Sequence, residues 1–238
     1  DPVYRAIVTG GLSNRGGSLV DIGCGQGLLL SVLIQAQRLW ADGAWPAGTA
    51  PPPRFDRMLG IELRPRVVQL ARRALGPGVE LVSRDARQWL PESADAVVCV
   101  DVLHMLSAQD QERVITKASA ALTPGGIILI RDADPSGGWG FTAVRVGNRL
   151  KSIVSGRWRQ AFHFRTSGAW AALLEREGLR VTVQPMREGT PFANFLMSAV
   201  RSAEGSALHV TADPNDGGSE RLRRDVKIST EPERAGDG

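Results

Sequence analysis

The stretch "SLVDIGCGQGLLL" (18–30) joins a short apolar run to a leucine-rich pattern through glycines at alternate positions, Gly23, Gly25 and Gly27. A strand suits the first part and a helix the last. The glycines between them permit positive φ and leave the backbone bare, so the joint is a tight turn that something can approach closely. A helix starting there offers free N–H groups and the positive end of its dipole. A strand, bare loop and helix in that order form the start of a βαβ unit.

The same rhythm continues. Strands are expected at 18–22, 57–62, 79–83, 94–100 ("ADAVVCV") and 127–131 ("IILIR"), and helices at 28–40, 67–75, 108–122 and 167–177. The run at 94–100 is almost wholly apolar, as in a strand covered on both faces. Two further strands, 179–184 and 193–200, are joined by the turn-rich "PMREGTPF", which predicts an antiparallel hairpin at the sheet edge. Strand–helix alternation with short connections predicts an α/β fold: a Rossmann-like three-layer αβα sandwich around a seven-stranded, mostly parallel sheet with a C-terminal antiparallel β-hairpin.

One domain is expected over 1–202. Within it, 41–54 ("ADGAWPAGTAPPPR") is a surface insertion, and 135–166 is a longer excursion that reads as a lid over a second substrate. Residues 203–238 are polar, charged and poor in large apolar side chains, and are expected to be a disordered tail. The chain opens at Asp1-Pro2 without an initiator Met, so trimming at the N-terminus is expected.

The hydrophobic share of 42% and charged share of 23% suit a globular protein, and no apolar run is long enough to span a bilayer. Net charge is +4 and falls mostly on arginine, which alone does not indicate nucleic acid. Cys24 and Cys99 lie in apolar surroundings with no CxxC or Cys/His cluster, so neither a disulfide framework nor a metal site is indicated and a cytoplasmic home is expected.

Ligands of open α/β sheets sit beyond the carboxyl ends of the strands. A dinucleotide fingerprint would need a third glycine at position 28, which is Leu28. Asp21, just before the loop, suits a positively charged group. A ligand with both a carboxylate and an ammonium fits this edge better than a pyrophosphate does.

These residues give "VDIGCGQG" (20–27) a resemblance to the first motif of class I S-adenosylmethionine-dependent methyltransferases. The resemblance extends over roughly 18–200. It implies S-adenosyl-L-methionine as cofactor, bound by Asp21, Gly23, Gly25 and Gly27. Glu62, with Leu63 beside it, closes the second strand where this family positions an acid for the ribose hydroxyls. Asp85 and Ala86 follow the third, where an acid and a backbone N–H meet the adenine. "DAVVCVDVLHML" (95–106), with Asp101, resembles the fourth motif and "LTPGGIILI" (122–130) the fifth. Each residue also has a plainer reading: turn glycines, a solvated acid at 62, helix caps at 85 and 101.

Methyl transfer needs a base only if the acceptor must lose a proton, as a phenol or a phenolate-activated ring carbon does. The Asn/Asp-Pro-Pro-Tyr/Phe motif of amine-directed relatives is replaced here by "DVLH" (101–104), which argues against an exocyclic amine. His104 and His163 are the candidate bases, and either could instead have a packing role; His209 falls in the expected tail. Asp101, Asp132 and Asp134 follow strands four and five, where some relatives hold Mg²⁺, but the Asp-Asn pair they use is absent from "RDADP".

Between Pro135 and Arg165 there is no acid, while Arg145, Arg149, Lys151, Arg157, Arg159 and Arg165 alternate with Trp139, Phe141, Trp158, Phe162 and Phe164. This is either a solvated amphipathic face or a dock for an anionic acceptor or acidic partner. "DVLHML", "RDAD", "RWRQAFHFR" and "EGTPFANFLMSAVR" resemble, more loosely, bacterial methyltransferases of aryl-polyene and type II fatty-acid-like pathways. That resemblance implies an aromatic or carrier-bound acceptor and an acyl carrier protein at 145–165. A cofactor-binding protein without catalysis and a nicotinamide oxidoreductase remain as alternatives, the latter opposed by Leu28.

Overall fold

The computed structural model describes residues 2–12, 16–138, 140–142, 146, 161–186 and 193–203. The chain divides into two units, Asp1–Ser206 and Ala207–Gly238. The second unit, and with it most of the expected tail and His209, lies outside the described residues, as do Trp139, Arg145 and most of the basic segment.

Seven strands form one sheet in the order β3-β2-β1-β4-β5-β7-β6. They are β1 (Ser18–Ile22), β2 (Arg57–Glu62), β3 (Glu80–Ser83), β4 (Ala94–Val100), β5 (Leu122–Ala133), β6 (Leu179–Pro185) and β7 (Asn194–Arg201). The first five are parallel. β7 enters between β5 and β6 and runs antiparallel to both, as the expected hairpin requires. β1 is central, so its carboxyl tip lies at the point where the strand order reverses, the usual ligand crevice of such sheets.

Side chains alternate across the sheet, which gives two cores. Leu19, Ala96, Val98, Ile127 and Leu129 meet helices α2 (Leu28–Ala41) and α3 (Pro65–Leu75) on one face. Val20, Val97, Cys99, Ile128 and Ile130 meet α4 (Ala108–Ala121) and α5 (Ser167–Arg176) on the other. Trp170 and Leu174 fill the space between α5 and the hairpin.

Two departures from the sequence reading matter for function. A short helix α1 (Pro2–Ala6), continued by a π-helical turn at Ile7–Gly11, precedes β1, with Val3, Ile7 and Leu12 fully buried against the first face. β5 also extends two residues past the expected end, to Ala133, and pairs with β7 along that extension (Asp132↔Phe195, Ala133↔Asn194).

Candidate active site

The loop after β1 is shaped by its neighbours. The Gly23 and Cys24 N–H groups donate to the Ile61 carbonyl at 2.8 and 3.1 Å, tying the loop to β2. Gly23 has φ 73°, and a Cβ there would lie 2.3 Å from Val102 Cγ2, so no other residue fits without displacing the segment after β4. Gly25 differs: with φ 55°, a Cβ would meet nothing nearer than 4.0 Å. The bare side of Gly25 therefore faces open space. α2 starts behind it with no side-chain cap.

Three acids stand at or just past the ends of β1, β2 and β3. Asp21 is only 3% exposed, and burial, then the like charge of Glu62, push its carboxyl up to about 7. A cation placed there would be stabilised. Glu62 is also buried, which by itself raises its pKa, but Arg64 overcomes this: its backbone N–H and Nε donate to Oε1 at 3.0 and 2.8 Å, and Nη2 to Oε2 at 3.1 Å. The Gly25 N–H contributes less, and the net shift is downward. Leu63 next to it is exposed. Asp85 is held in the same manner by Arg87, whose N–H, Nε and Nη2 reach the carboxylate at 2.7–3.0 Å. Arg87 also bonds Asp110, and Ala86 packs at the margin of the second core.

Past β4 the chain turns sharply. Asp101 is the one described non-glycine residue with positive φ, 53°. Its N–H donates to the Arg131 carbonyl at 3.0 Å, and the Arg131 guanidinium donates to its carboxylate. Arg131 is 7% exposed. Asp101's carboxyl is raised by partial desolvation and by Asp132, partly offset by Arg131.

His104 follows in a short 3₁₀ turn, Leu103–Met105, and is buried. Its Nδ1 lies 2.7 Å from Asp132 Oδ1. Asp132 is 1% exposed and also accepts from the Ala133 N–H. A carboxylate only accepts, so Nδ1 carries the hydrogen, and in the neutral imidazole the lone pair is then on Nε2. Phe164 stacks on the imidazole at 4.6 Å, Phe162 tilts at 5.8 Å, and Phe141 meets Phe164 edge-on at 5.1 Å.

His163, the other candidate base, is exposed; its backbone N–H donates to the His104 carbonyl at 2.7 Å. Gln111 on α4, fully buried, fixes this contact. Its Nε2 reaches the carbonyls of His163 (2.6 Å), Leu103 and Leu106, and its Oε1 accepts from Arg165. Asp134, the third acid near β5, is engaged by Ser136 and Ser167. Thus Asp101, Asp132 and Asp134 each face a protein partner, and among the described residues no group of three or more His, Cys, Asp or Glu is arranged to hold a metal ion. No described helix is long and apolar enough to cross a membrane.

A five-stranded parallel sheet closed by a reversed hairpin, with a bare glycine loop at the central tip and an acid at the next, is the architecture of a methyltransferase domain. The comparisons place it more closely. Residues 5–184 match the family model described as a methyltransferase domain, and the chain belongs to that family. The carboxy-S-adenosyl-L-methionine synthase of Chromohalobacter salexigens is 29% identical over 122 residues, 49% of this chain and 40% of that protein. The mitomycin biosynthesis 6-O-methyltransferase of Streptomyces lavendulae is 28% identical over 168 residues, 68% of this chain and 41% of that protein. The chain thus spans about two fifths of the length of these curated relatives. Among solved structures, an O-methyltransferase family protein from Burkholderia thailandensis aligns with TM-score 0.61 and 22% identity over 86% of this chain and 56% of its own. A mitomycin 7-O-methyltransferase aligns with TM-score 0.58 and 24% identity over 84% and 52%. These likenesses are of fold.

The residues present suit the cofactor. Its ammonium and sulfonium would meet the acid-rich edge at Asp21, its ribose hydroxyls would be held by Glu62, and the open side of Gly25 would leave room for close approach.

Proposed function

We propose that this domain methylates a hydroxyl, or a ring carbon beside a phenolate, on a small aromatic acceptor, with His104 as the base. The observation carrying this reading is the buried His104–Asp132 pair. It stands at the tips of β4 and β5, one strand beyond the glycine loop, under a cover of phenylalanines.

S-adenosylmethionine supplies a methyl group on a sulfonium, ready for in-line displacement. The protein's task is then to align, exclude water and move one proton. Asp21, Glu62 and the loop hold the donor end. His104 Nε2 accepts the acceptor's proton, and Asp132, already bonded to Nδ1, stabilises the resulting imidazolium. Phe162 and Phe164 keep water from the imidazole and offer an aromatic acceptor a stacking partner. His163, being exposed, is assigned no proton transfer. Two relatives named for O-methylation support a hydroxyl as the acceptor.

The acid-free run from Pro135 to Arg165 supports a carrier-bound, anionic form of the acceptor. The looser resemblance to aryl-polyene pathway enzymes points the same way.

The test is incubation with labelled donor and a panel of phenols, free and loaded on an acyl carrier protein. Mass spectrometry of the products should show one added methyl. His104→Ala should abolish transfer while binding of S-adenosylhomocysteine persists. Transfer at wild-type rate in that variant would remove His104 from the role, and donor binding without turnover across the panel would favour a sensing protein.

A further inference from the structure

The strand order works as a ruler. Asp85, Glu62, the glycine loop and Asp101 stand at the tips of β3, β2, β1 and β4, in that spatial order. Neighbouring strands are about 4.8 Å apart. A donor with its adenine at β3 and its ribose at β2 therefore reaches its amino-acid end near β4, and β5 comes next. The residue at that tip of β5, on the first face, is Arg131.

Its side is fixed by alternation. Ile127 and Leu129 belong to the core of α2 and α3, as does Leu19, two residues before Asp21. Arg131 and Asp21 continue those rows and so project to the same face. Ile128 and Ile130 belong to the other core, and Asp132 continues their row toward His104. The arginine thus stands on the side of the glycine loop, away from the base and its aromatic cover. Tyr4 of α1, packed against the same core, feels the charges of Asp101, Asp21 and Arg131. Tyrosine, two carboxylates and one guanidinium converge here.

The Arg131–Asp101 pair is the complement of a zwitterion. Arg131 is buried and offers a planar fork suited to a carboxylate. Asp101's side chain is 44% exposed, and its backbone is held in a conformation that non-glycine residues rarely adopt. Strain of that kind persists where it serves a contact. Both charges are at hand and paired with each other.

We propose that Arg131 is the receptor for the donor's α-carboxylate, and that the donor's amino-acid end replaces the internal Arg131–Asp101 pair with two intermolecular ones. On binding, the carboxylate takes the guanidinium and the ammonium takes the carboxylates of Asp101 and Asp21. No bond is made or broken in this exchange. It rests on the donor reading of the loop, and it adds a discrimination: the site selects donors and products that keep their carboxyl group.

Calorimetry with three probes tests it: S-adenosylhomocysteine, its decarboxylated analogue, which keeps the ammonium, and 5′-methylthioadenosine, which has neither charge. Wild-type protein should prefer the first. Arg131→Met, close in length and apolar, should weaken S-adenosylhomocysteine roughly tenfold to a hundredfold, while the other two change less than about threefold. Arg131→Lys, which keeps charge but loses the fork, should fall between. An equal loss for all three probes in both variants would assign Arg131 a structural role and overturn the proposal. So would an unchanged S-adenosylhomocysteine affinity accompanied by a raised KM for carboxylated acceptors, because the guanidinium would then serve the acceptor. Failure of the wild type to bind any probe would instead overturn the donor reading itself, and this proposal with it.

Discussion

Arg64 closes back on Glu62, so that the acid at the tip of β2 is gripped by the residue two positions after it. Arg87 grips Asp85 identically at the tip of β3. Both acids expected to meet the donor are therefore kept ionised and oriented by a local arginine.

This arrangement separates two roles. Glu62→Ala should weaken S-adenosylhomocysteine binding by about 1.5–3 kcal/mol, the range for charge-assisted hydrogen bonds. Arg64 is half exposed, so its pair contributes no more than about 1 kcal/mol to folding. Arg64→Ala removes the group that keeps Glu62 ionised and oriented, so affinity should fall, by less than about tenfold. A loss of more than tenfold by calorimetry would make Arg64 itself a cofactor ligand.

Asp132→Asn exchanges an acceptor-only group for an amide that can donate to His104 Nδ1 and so favour the wrong tautomer. Turnover should drop on the order of 10²–10⁴-fold, with donor affinity unchanged. Paired binding and rate measurements check this; equal effects on both would point to misfolding around β5.

Donor binding should depend on pH through Asp21. Burial and the like charge of Glu62 push its carboxyl up to about 7. A cation beside it favours the ionised form, so affinity should rise as pH increases through that value. Below it, affinity should fall by up to about 1.4 kcal/mol per unit. The same shift acts on folding in the opposite sense. A carboxyl raised above its unfolded value costs stability as pH rises from about 4 to 7, and the cost levels off above that. Asp21→Asn should flatten both profiles. A pH-independent affinity for S-adenosylhomocysteine between 5.5 and 8 in the wild type would exclude Asp21 from the cation site.

Gln111 anchors the segment carrying Phe162 and Phe164. Gln111→Ala leaves the His163, Leu103 and Leu106 carbonyls and Arg165 without their shared partner, costing about 1–3 kcal/mol of stability. The acceptor KM should rise, and proteolysis near residues 161–166 should quicken, while donor affinity holds. An acceptor KM equal to wild type would show that the cover does not line the acceptor site.

The sheet was legible because each strand is a short apolar run closed by turn residues, and the glycine loop marks its central tip. The position of Glu62 at the end of β2 was legible from the strand pattern. The partner of His104 was not, because the apolar run stops at Arg131; carrying the alternation Ile128, Ile130 one step further places Asp132 on His104's face. α1 escaped notice although Val3 and Ile7 stand four apart. The arginine grips were visible as acid-x-Arg in "ELR" and "DAR", but that spacing has no obligatory structure. Nothing in the sequence marks Gln111, since its importance comes from carbonyls brought to it by folding.

Arg131 and Asp132 are consecutive residues of a strand paired on both edges, with β4 and β7. One peptide unit therefore joins the sheet face of the glycine loop to the sheet face of the imidazole. In the proposed scheme covalent geometry then fixes the spacing of donor and acceptor, so a mutation that shifts the tip of β5 should misplace both together.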